Sequence, residues 1–119
     1  MKFYKLIKPK QINNYKGNIL KYFLNDPIFK KGIKDFYFTK IKPNHTKGWK
    51  FKKRKTILIV IEGSVKFYFK NKKNLNIKEL IINSKDKEII IIQKNIFFSF
   101  KSNLKKTSVI MSLLNDKYN

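Results

Sequence analysis

The segment HTKGWKFKKRKT, residues 45–56, holds the side chains of this sequence that are most suited to chemistry. It contains the only His and the only Trp of the chain, and it runs directly into the apolar stretch ILIVIEG. In an extended chain Lys50 and Lys52 project to one side while Trp49 and Phe51 project to the other, because side chains alternate along a strand. The segment is therefore a nucleic-acid patch, a solvated loop, or the lip of a binding pocket at the start of a strand.

The scarcity of metal-binding side chains limits the cofactors open to the chain, which has one His and no Cys. Transition-metal sites take several imidazole or thiolate ligands, so we predict no protein-bound metal and no cofactor. We expect His45 to lie in an exposed loop, and Trp49 to be an anchor in the core or in an interface.

The formal net charge of +22 is typical of a protein that binds polyanions, but the residues that supply this charge are not typical of one. The cations are 28 Lys and one Arg, whereas dedicated phosphate and base readers favour the bidentate Arg fork. With 13 Asn, 18 Ile and no Ala, the composition indicates drift towards A/T-rich codons. We therefore expect weak, salt-dependent association with polyanions and no selective nucleic-acid binding, with a polyanion-binding β domain as an alternative.

The length of 119 residues suits a single domain. The apolar runs ILIVI and IIII are too short to span a bilayer, and no apolar region typical of a secretion signal follows the first residue. We therefore predict a single-domain cytoplasmic protein with no membrane segment.

Strand patterns with turns at regular intervals dominate the sequence from residue 35 onward, which is typical of a β-sandwich or barrel. VKFYFK (65–70) alternates apolar and polar side chains, and we predict that it forms a hairpin with KTILIVIEG (55–63) across the Gly-Ser pair. The segment 17–26 is compatible with a short helix or a further strand. The predicted strands are 35–42, 56–61, 65–70, 77–82, 88–92, 96–100 and 107–114.

Three phrases share their order and spacing with those of one protein family. They are KGWKFKKRKT with EGSVKF (47–56 and 62–67), IQKNIFFSFK (92–101) and LLNDKYN (113–119). The family's own phrases are KGWHRHKKxT with GKVxxV, IPPGxWHGFK and LLNxPxxxYD. Residues 17–119 thereby resemble the cupin family of dTDP-4-dehydrorhamnose 3,5-epimerases and related nucleotide-sugar isomerases, and residues 1–16 are left as an N-terminal arm.

The resemblance implies an all-β fold, a small cupin-type jelly roll (double-stranded β-helix) formed by residues 1–119 as one domain. It also implies a homodimer that binds a dTDP-sugar or another anionic small molecule in surface polysaccharide synthesis. The alternative is a non-catalytic cupin that binds an anionic sugar or a partner protein.

The sequence departs from the family at three histidines, the base and two polar groups of the pocket, whose positions are occupied by Lys50, Lys52 and Phe98. In the family a histidine removes the proton next to the sugar ketone and a tyrosine supplies a proton. The resemblance therefore implies Lys50 as the base, provided that burial lowers its pKa, and Tyr118 as the acid. A poor or inactive 3,5-epimerase is the expected outcome.

The candidate substrate-binding residues combine cations, which a nucleotide diphosphate requires, with aromatic rings. We expect Lys50 and Lys52 to point into the barrel mouth beside Phe98. The competing interpretation is a solvated basic strand edge that prevents aggregation. The candidates are Lys50, Lys52, Arg54, Phe98 and Phe100.

Overall fold

The computed structural model of the chain describes residues 2–73 and 76–115. Within these ranges the chain forms eleven β-strands and two short 3₁₀ helices, Pro27–Lys31 and Ser84–Asp86. The strands are β1 (Tyr4–Ile7), β2 (Lys10–Ile12), β3 (Ile19–Lys21), β4 (Asp35–Ile41), β5 (Thr46–Lys52), β6 (Thr56–Glu62), β7 (Ser64–Lys70), β8 (Lys78–Asn83), β9 (Ile89–Ile92), β10 (Ile96–Ser102) and β11 (Ser108–Leu114).

Two antiparallel sheets carry the fold, one of five strands in the order β1-β9-β6-β11-β4 and one of four strands in the order β5-β10-β7-β8. Strands that are consecutive in sequence repeatedly fall in different sheets, as in a jelly roll. The predicted all-β jelly-roll fold is confirmed. In the described part of the chain, no helix is long and apolar enough to cross a membrane.

The main core lies between the two sheets and is built by strand alternation. Val65, Phe67 and Phe69 are fully buried on the inner face of β7, as the pattern of VKFYFK predicts. Ile90 and Ile92 meet them from the other sheet. The inner faces therefore form an apolar layer, and a polar side chain on such a face must lie near the end or edge of the sandwich.

The strand β9 is buried on both faces, as its run of four isoleucines predicts. Ile89 and Ile91 point away from the main core and pack with Ile28 of the first 3₁₀ helix. Asp26 fixes this helix, because its carboxylate accepts a hydrogen bond from the Ile28 amide at 3.0 Å and one from Lys55 Nζ at 3.1 Å. The helix thus covers the part of the outer face of the five-stranded sheet that β9 forms.

The predicted hairpin of residues 55–70 is wrong. β6 pairs with β9 and β11, whereas β7 pairs with β8 and β10. Gly63 has φ of +83° and lies so close to Ser108 that an added Cβ would collide with its Oγ. The glycine carries the chain from one sheet to the other. A tight turn and a crossover use the same residue types, so the Gly-Ser pair alone could not distinguish them.

The N-terminal region contributes strands rather than a helix. Ile19–Lys21 pairs with β2 as a small separate hairpin, so the strand alternative for the segment 17–26 is the one found. Residues 4–7, within the expected N-terminal arm, pair with β9 as the edge of the five-stranded sheet. The other predicted strands are present with boundaries shifted by one or two residues.

Candidate functional site

The candidate site lies on the inner face of β5, where this strand pairs with β10. Lys50 is opposite Phe98, and Lys52 is opposite Ile96. Directly opposed residues of antiparallel strands project from the same face, and Phe98 and Ile96 both belong to the main core. Lys50 and Lys52 therefore point inward and are half-buried, which is the orientation that their alternation with Trp49 and Phe51 predicts.

A β-bulge adds a third lysine to this face. Lys47 is opposite Phe100 while Lys50 is opposite Phe98, so β5 has one residue more than β10 in this interval. Bulges change the direction of a side chain in this way, and the inner face of β5 thus carries Lys47 as well. The sequence does not reveal the bulge, and Lys47 was not among the predicted site residues.

Lys50 lies in an environment that favours its neutral form. Its Nζ is 5.3 Å from the centroid of the Phe100 ring. Burial lowers the pKa of Lys50, the nearby Tyr37 side chain acts in the opposite direction, and the charges of Lys52 and Lys47 lower the pKa further. Lys50 therefore releases its proton more readily than an exposed lysine.

Lys52 is affected in the same direction. Burial lowers the pKa of Lys52, and the positive charge of Arg54 lowers it further. Burying two neighbouring lysine charges on the inner face costs folding free energy, and an anion bound between the two lysines would offset that cost.

Tyr37 is a site residue that the sequence-based prediction missed. It lies on β4 opposite Ser112, and it shares the inward face of that strand with Thr39 and the buried Ile41. The opposing sheet thus brings a phenol close enough to influence Lys50. The alternation in DFYFTKI could have indicated its orientation, but not its proximity to Lys50. Tyr118, the predicted acid, lies outside the described residues.

The aromatic candidates form the floor of the site. Phe98 and Phe100 are only 2% and 3% exposed, and their rings stack with centroids 6.4 Å apart. Both belong to the main core. They support the lysines from below, and a contact with substrate stays a prediction.

Arg54 is exposed, although its charge reaches Lys52. It lies in the turn after β5 and lines two surface cavities of about 320 and 370 Å³, each of which also includes Ile28 and Lys31. Neither Lys50 nor Lys52 lines these two cavities. The structure therefore brings two of the three predicted phosphate contacts together on one face and places Arg54 beside the first 3₁₀ helix.

The remaining candidates of the opening segment are exposed. Trp49 is 41% exposed on the outer face of the sheet, so it is not a core anchor, and its predicted role as an interface anchor stays a prediction. His45 is exposed between β4 and β5, which confirms its predicted loop position. In residues 2–73 and 76–115, no three His, Cys, Asp or Glu side chains are grouped so that they could hold a metal ion.

Replacing Lys50 with methionine should stabilise the protein at pH 7. We expect a gain of about 1 kcal/mol, or roughly 3–6 °C in Tm, because methionine fills similar space without burying a charge. The pKa of Lys50 is lowered in the folded state, so the unfolded chain binds more protons between that pKa and the ordinary value of about 10.4. Wild-type stability therefore rises with pH across that window, and the gain of Lys50→Met should shrink there.

Urea unfolding at pH 7 and above pH 10 would measure this difference, with Lys40→Met on the exposed side of β4 as the matched control. A gain that is equal at both pH values, or equal to that of the control, would contradict the burial effect.

Comparisons with known proteins agree with this architecture. The family model described as "FdtA: WxcM-like, C-terminal" matches residues 2–119. The WlaRB TDP-quinovose 3,4-ketoisomerase from Campylobacter jejuni superimposes with a TM-score of 0.78 at 22% identity, covering 100% of this chain and 89% of that one.

Two further structures show the same fold. A 3,4-ketoisomerase from Helicobacter canadensis has a TM-score of 0.75 at 24% identity, covering 98% of this chain and 85% of that one. The dTDP-4-dehydrorhamnose 3,5-epimerase from Elizabethkingia anophelis NUHP1 has a TM-score of 0.75 at 13% identity, with coverage of 98% and 70%. A search of curated protein sequences finds no match.

Proposed function

Because the chain belongs to the FdtA (WxcM-like, C-terminal) family of cupin-like dTDP-sugar isomerases, we propose that it binds a dTDP-linked 4-keto sugar on the inner face of β5. We further propose that Lys50 removes a proton from the sugar carbon beside the ketone. The observation that carries the proposal is the inward, half-buried position of Lys50 together with its lowered pKa.

The nature of the ligand is supported by the structural neighbours and by the charge of the site. QdtA, a sugar 3,4-ketoisomerase from Thermoanaerobacterium thermosaccharolyticum, has been solved with TDP, and a variant of it with TDP-4-keto-6-deoxyglucose. In this chain Lys47, Lys50 and Lys52 share one face. A diphosphate or a sugar enolate supplies the negative charge that three converging lysines require.

The proposed first step is common to isomerases and epimerases. The neutral amine of Lys50 takes the proton from C3, the C4 ketone becomes an enolate oxygen, and the electron pair of the broken C–H bond forms the C3–C4 double bond. Lys47 and Lys52 stabilise the negative charge that develops on that oxygen. Tyr37, which approaches from the opposing sheet, is the proposed proton donor.

The carbon atom that receives a proton in the second step determines which reaction takes place. Return of the proton to C3 on the opposite face gives an epimer. Delivery of a proton to C4, with the proton of the C3 hydroxyl passing to the C4 oxygen and a ketone forming at C3, gives a 3-keto isomer. Both routes conserve atoms and oxidation level, so neither needs a redox cofactor.

A non-catalytic sugar-nucleotide binder is the second candidate. It is favoured by the sequence at Lys50, Lys52 and Phe98, where the resemblance places histidines. If Lys50 stays protonated when substrate is bound, the face binds the anion but cannot accept a proton.

The homodimer implied by the family resemblance stays a prediction. The outer face of the five-stranded sheet offers an apolar surface for it, since Phe36 and Phe38 are 56% and 55% exposed there. Their rings meet edge to face with centroids 5.9 Å apart.

Incubation with dTDP-4-keto-6-deoxyglucose in D₂O, followed by NMR, tests the proposed function. Deuterium at C3 of the unchanged 4-keto sugar indicates the shared first step, deuterium at C3 of an epimer indicates epimerase chemistry, and deuterium at C4 of a 3-keto product indicates isomerisation. Calorimetric binding without exchange would select the non-catalytic binder. Absence of both binding and exchange would overturn the proposal.

A further inference from the structure

The outer face of the four-stranded sheet, on the side away from Lys50 and Lys52, combines aromatic rings with lysines. We call it the aromatic–lysine face. β5, β10 and β7 contribute its rings, and each of its lysines lies over at least one of them. Its members are Trp49, Phe51, Tyr68 and Phe97 with Lys66, Lys70, Lys72 and Lys101.

The register of three adjacent strands builds this face. Phe97 of β10 is opposite Phe51 of β5 on one side and Lys70 of β7 on the other. The Phe51 and Phe97 rings lie with their centroids 4.6 Å apart. Rings and cations therefore form a continuous surface across the strands, and they are not isolated pairs.

The lysines lie over the rings at short distances. Lys70 Nζ is 4.1 Å from the centroid of the Trp49 ring, and Lys72 Nζ is 4.6 Å from that of Phe51. Lys66 and Lys101 lie 5.7 and 6.0 Å from the centroid of the Tyr68 ring. Cation–π contacts at exposed sites are weak, so an incoming ligand can displace these ammonium groups from the rings.

The net positive charge of the aromatic–lysine face limits the kind of partner that it can bind. Glu79 pairs with Lys66 at 3.4 Å, so the four lysines and this carboxylate leave a net charge of +3. A second copy of the chain bound through the same face would bring two such charges together on molecules that each carry +22. The partner must therefore be anionic, and it must offer flat groups to the rings.

We propose that the aromatic–lysine face binds single-stranded nucleic acid without sequence preference. Each nucleotide supplies one flat base for a ring and one phosphate for a lysine, which is the combination that such stacking platforms use. Duplex bases are stacked on one another and cannot reach the rings. Because every base has a flat face, the rings accept any sequence, in keeping with the expectation that the chain lacks selective nucleic-acid binding.

Trp49 makes the proposal directly measurable, because it is the only Trp of the chain. Titration of the intact protein with oligo(dT) of about 16 nucleotides should quench Trp49 fluorescence in a saturable manner. The logarithm of affinity should fall with the logarithm of salt concentration, with a slope of about −2 to −3 for three or four neutralised phosphates. Oligo(dC) should bind within about threefold of oligo(dT).

A charge-matched pair of variants separates this face from the general basicity of the chain. The double variant Lys70→Gln/Lys72→Gln should weaken binding at least about fivefold and reduce the salt slope by roughly 1.4. The double variant Lys16→Gln/Lys21→Gln removes the same charge from two lysine–aromatic pairs elsewhere, over Tyr15 and Phe23. We expect it to change the affinity less than about twofold.

Stacking is tested by Phe51→Leu, which keeps an apolar side chain but removes a ring. Anisotropy of a labelled oligonucleotide should show weaker binding by this variant, with the salt slope unchanged. Equal binding of heparin and oligo(dT), equal losses in the two charge-matched variants, or no quenching of Trp49 would each overturn the proposal. A strong preference for one base would overturn its lack of sequence selectivity.

Discussion

Lys50→Ala should lower the rate of deuterium exchange at the sugar carbon by about 10²–10⁴-fold, the range that a general base contributes. Lys50 is the inward lysine whose neutral form is favoured both by burial and by the charges of Lys47 and Lys52. Alanine leaves those two cations in place, so dTDP binding should weaken by about tenfold or less. The measurement is NMR of the keto sugar in D₂O together with calorimetric titration of dTDP.

Lys101→Ala is the matched control, because it removes the same charge from the other face of the same sheet, where Lys101 lies over Tyr68. Its exchange rate should stay within about twofold of the wild type. If exchange in Lys50→Ala equals that of the control, the base lies elsewhere. If exchange falls equally in both variants, the effect of Lys50 is one of charge and not of proton transfer.

Phe98→Ala should destabilise the protein by about 3–5 kcal/mol, the usual cost of removing a buried phenylalanine ring. Phe98 is 2% exposed, packs in the main core and stacks on Phe100. Urea unfolding at pH 7 would measure the loss. The result matters for the site because Lys50 lies directly opposite Phe98 on the neighbouring strand.

Phe97→Ala provides the comparison, since Phe97 is the next residue on the same strand and lies half-buried on the outer face. We expect a cost of about 1 kcal/mol there. Similar losses at both positions would contradict the assignment of Phe98 to the core. A small loss at Phe98 with strongly weakened dTDP binding would make Phe98 a substrate contact.

The pattern of apolar and polar side chains within individual segments predicted the β-strands well. Apolar alternation in residues 65–70 identified the buried face of β7, and the isoleucine run identified β9 as a strand covered on both sides. The same period of two gave the inward direction of Lys50 and Lys52. Such patterns are local consequences of strand geometry, so they can be read without knowledge of which strands are neighbours.

The sequence predicted less well which β-strands pair with one another. Two adjacent strands joined by Gly-Ser looked like a hairpin, yet the positive φ of Gly63 and its close approach to Ser108 carry the chain into the opposite sheet. Both arrangements bury one apolar face of each strand. The preference depends on which distant strands complete each sheet, and no short window contains that information.

By itself the sequence determined the all-β class, the alternation of β5 and the placement of His45 in a loop, because each depends on residues close together in the chain. Only the tertiary structure decided that a bulge adds Lys47 to the inner face, that Tyr37 approaches Lys50 from the other sheet, and that Arg54 lies beside the first 3₁₀ helix. It also decided that Trp49 is exposed, with Lys70 over its ring. These features depend on contacts between strands far apart in sequence, which arise only when both sheets have formed.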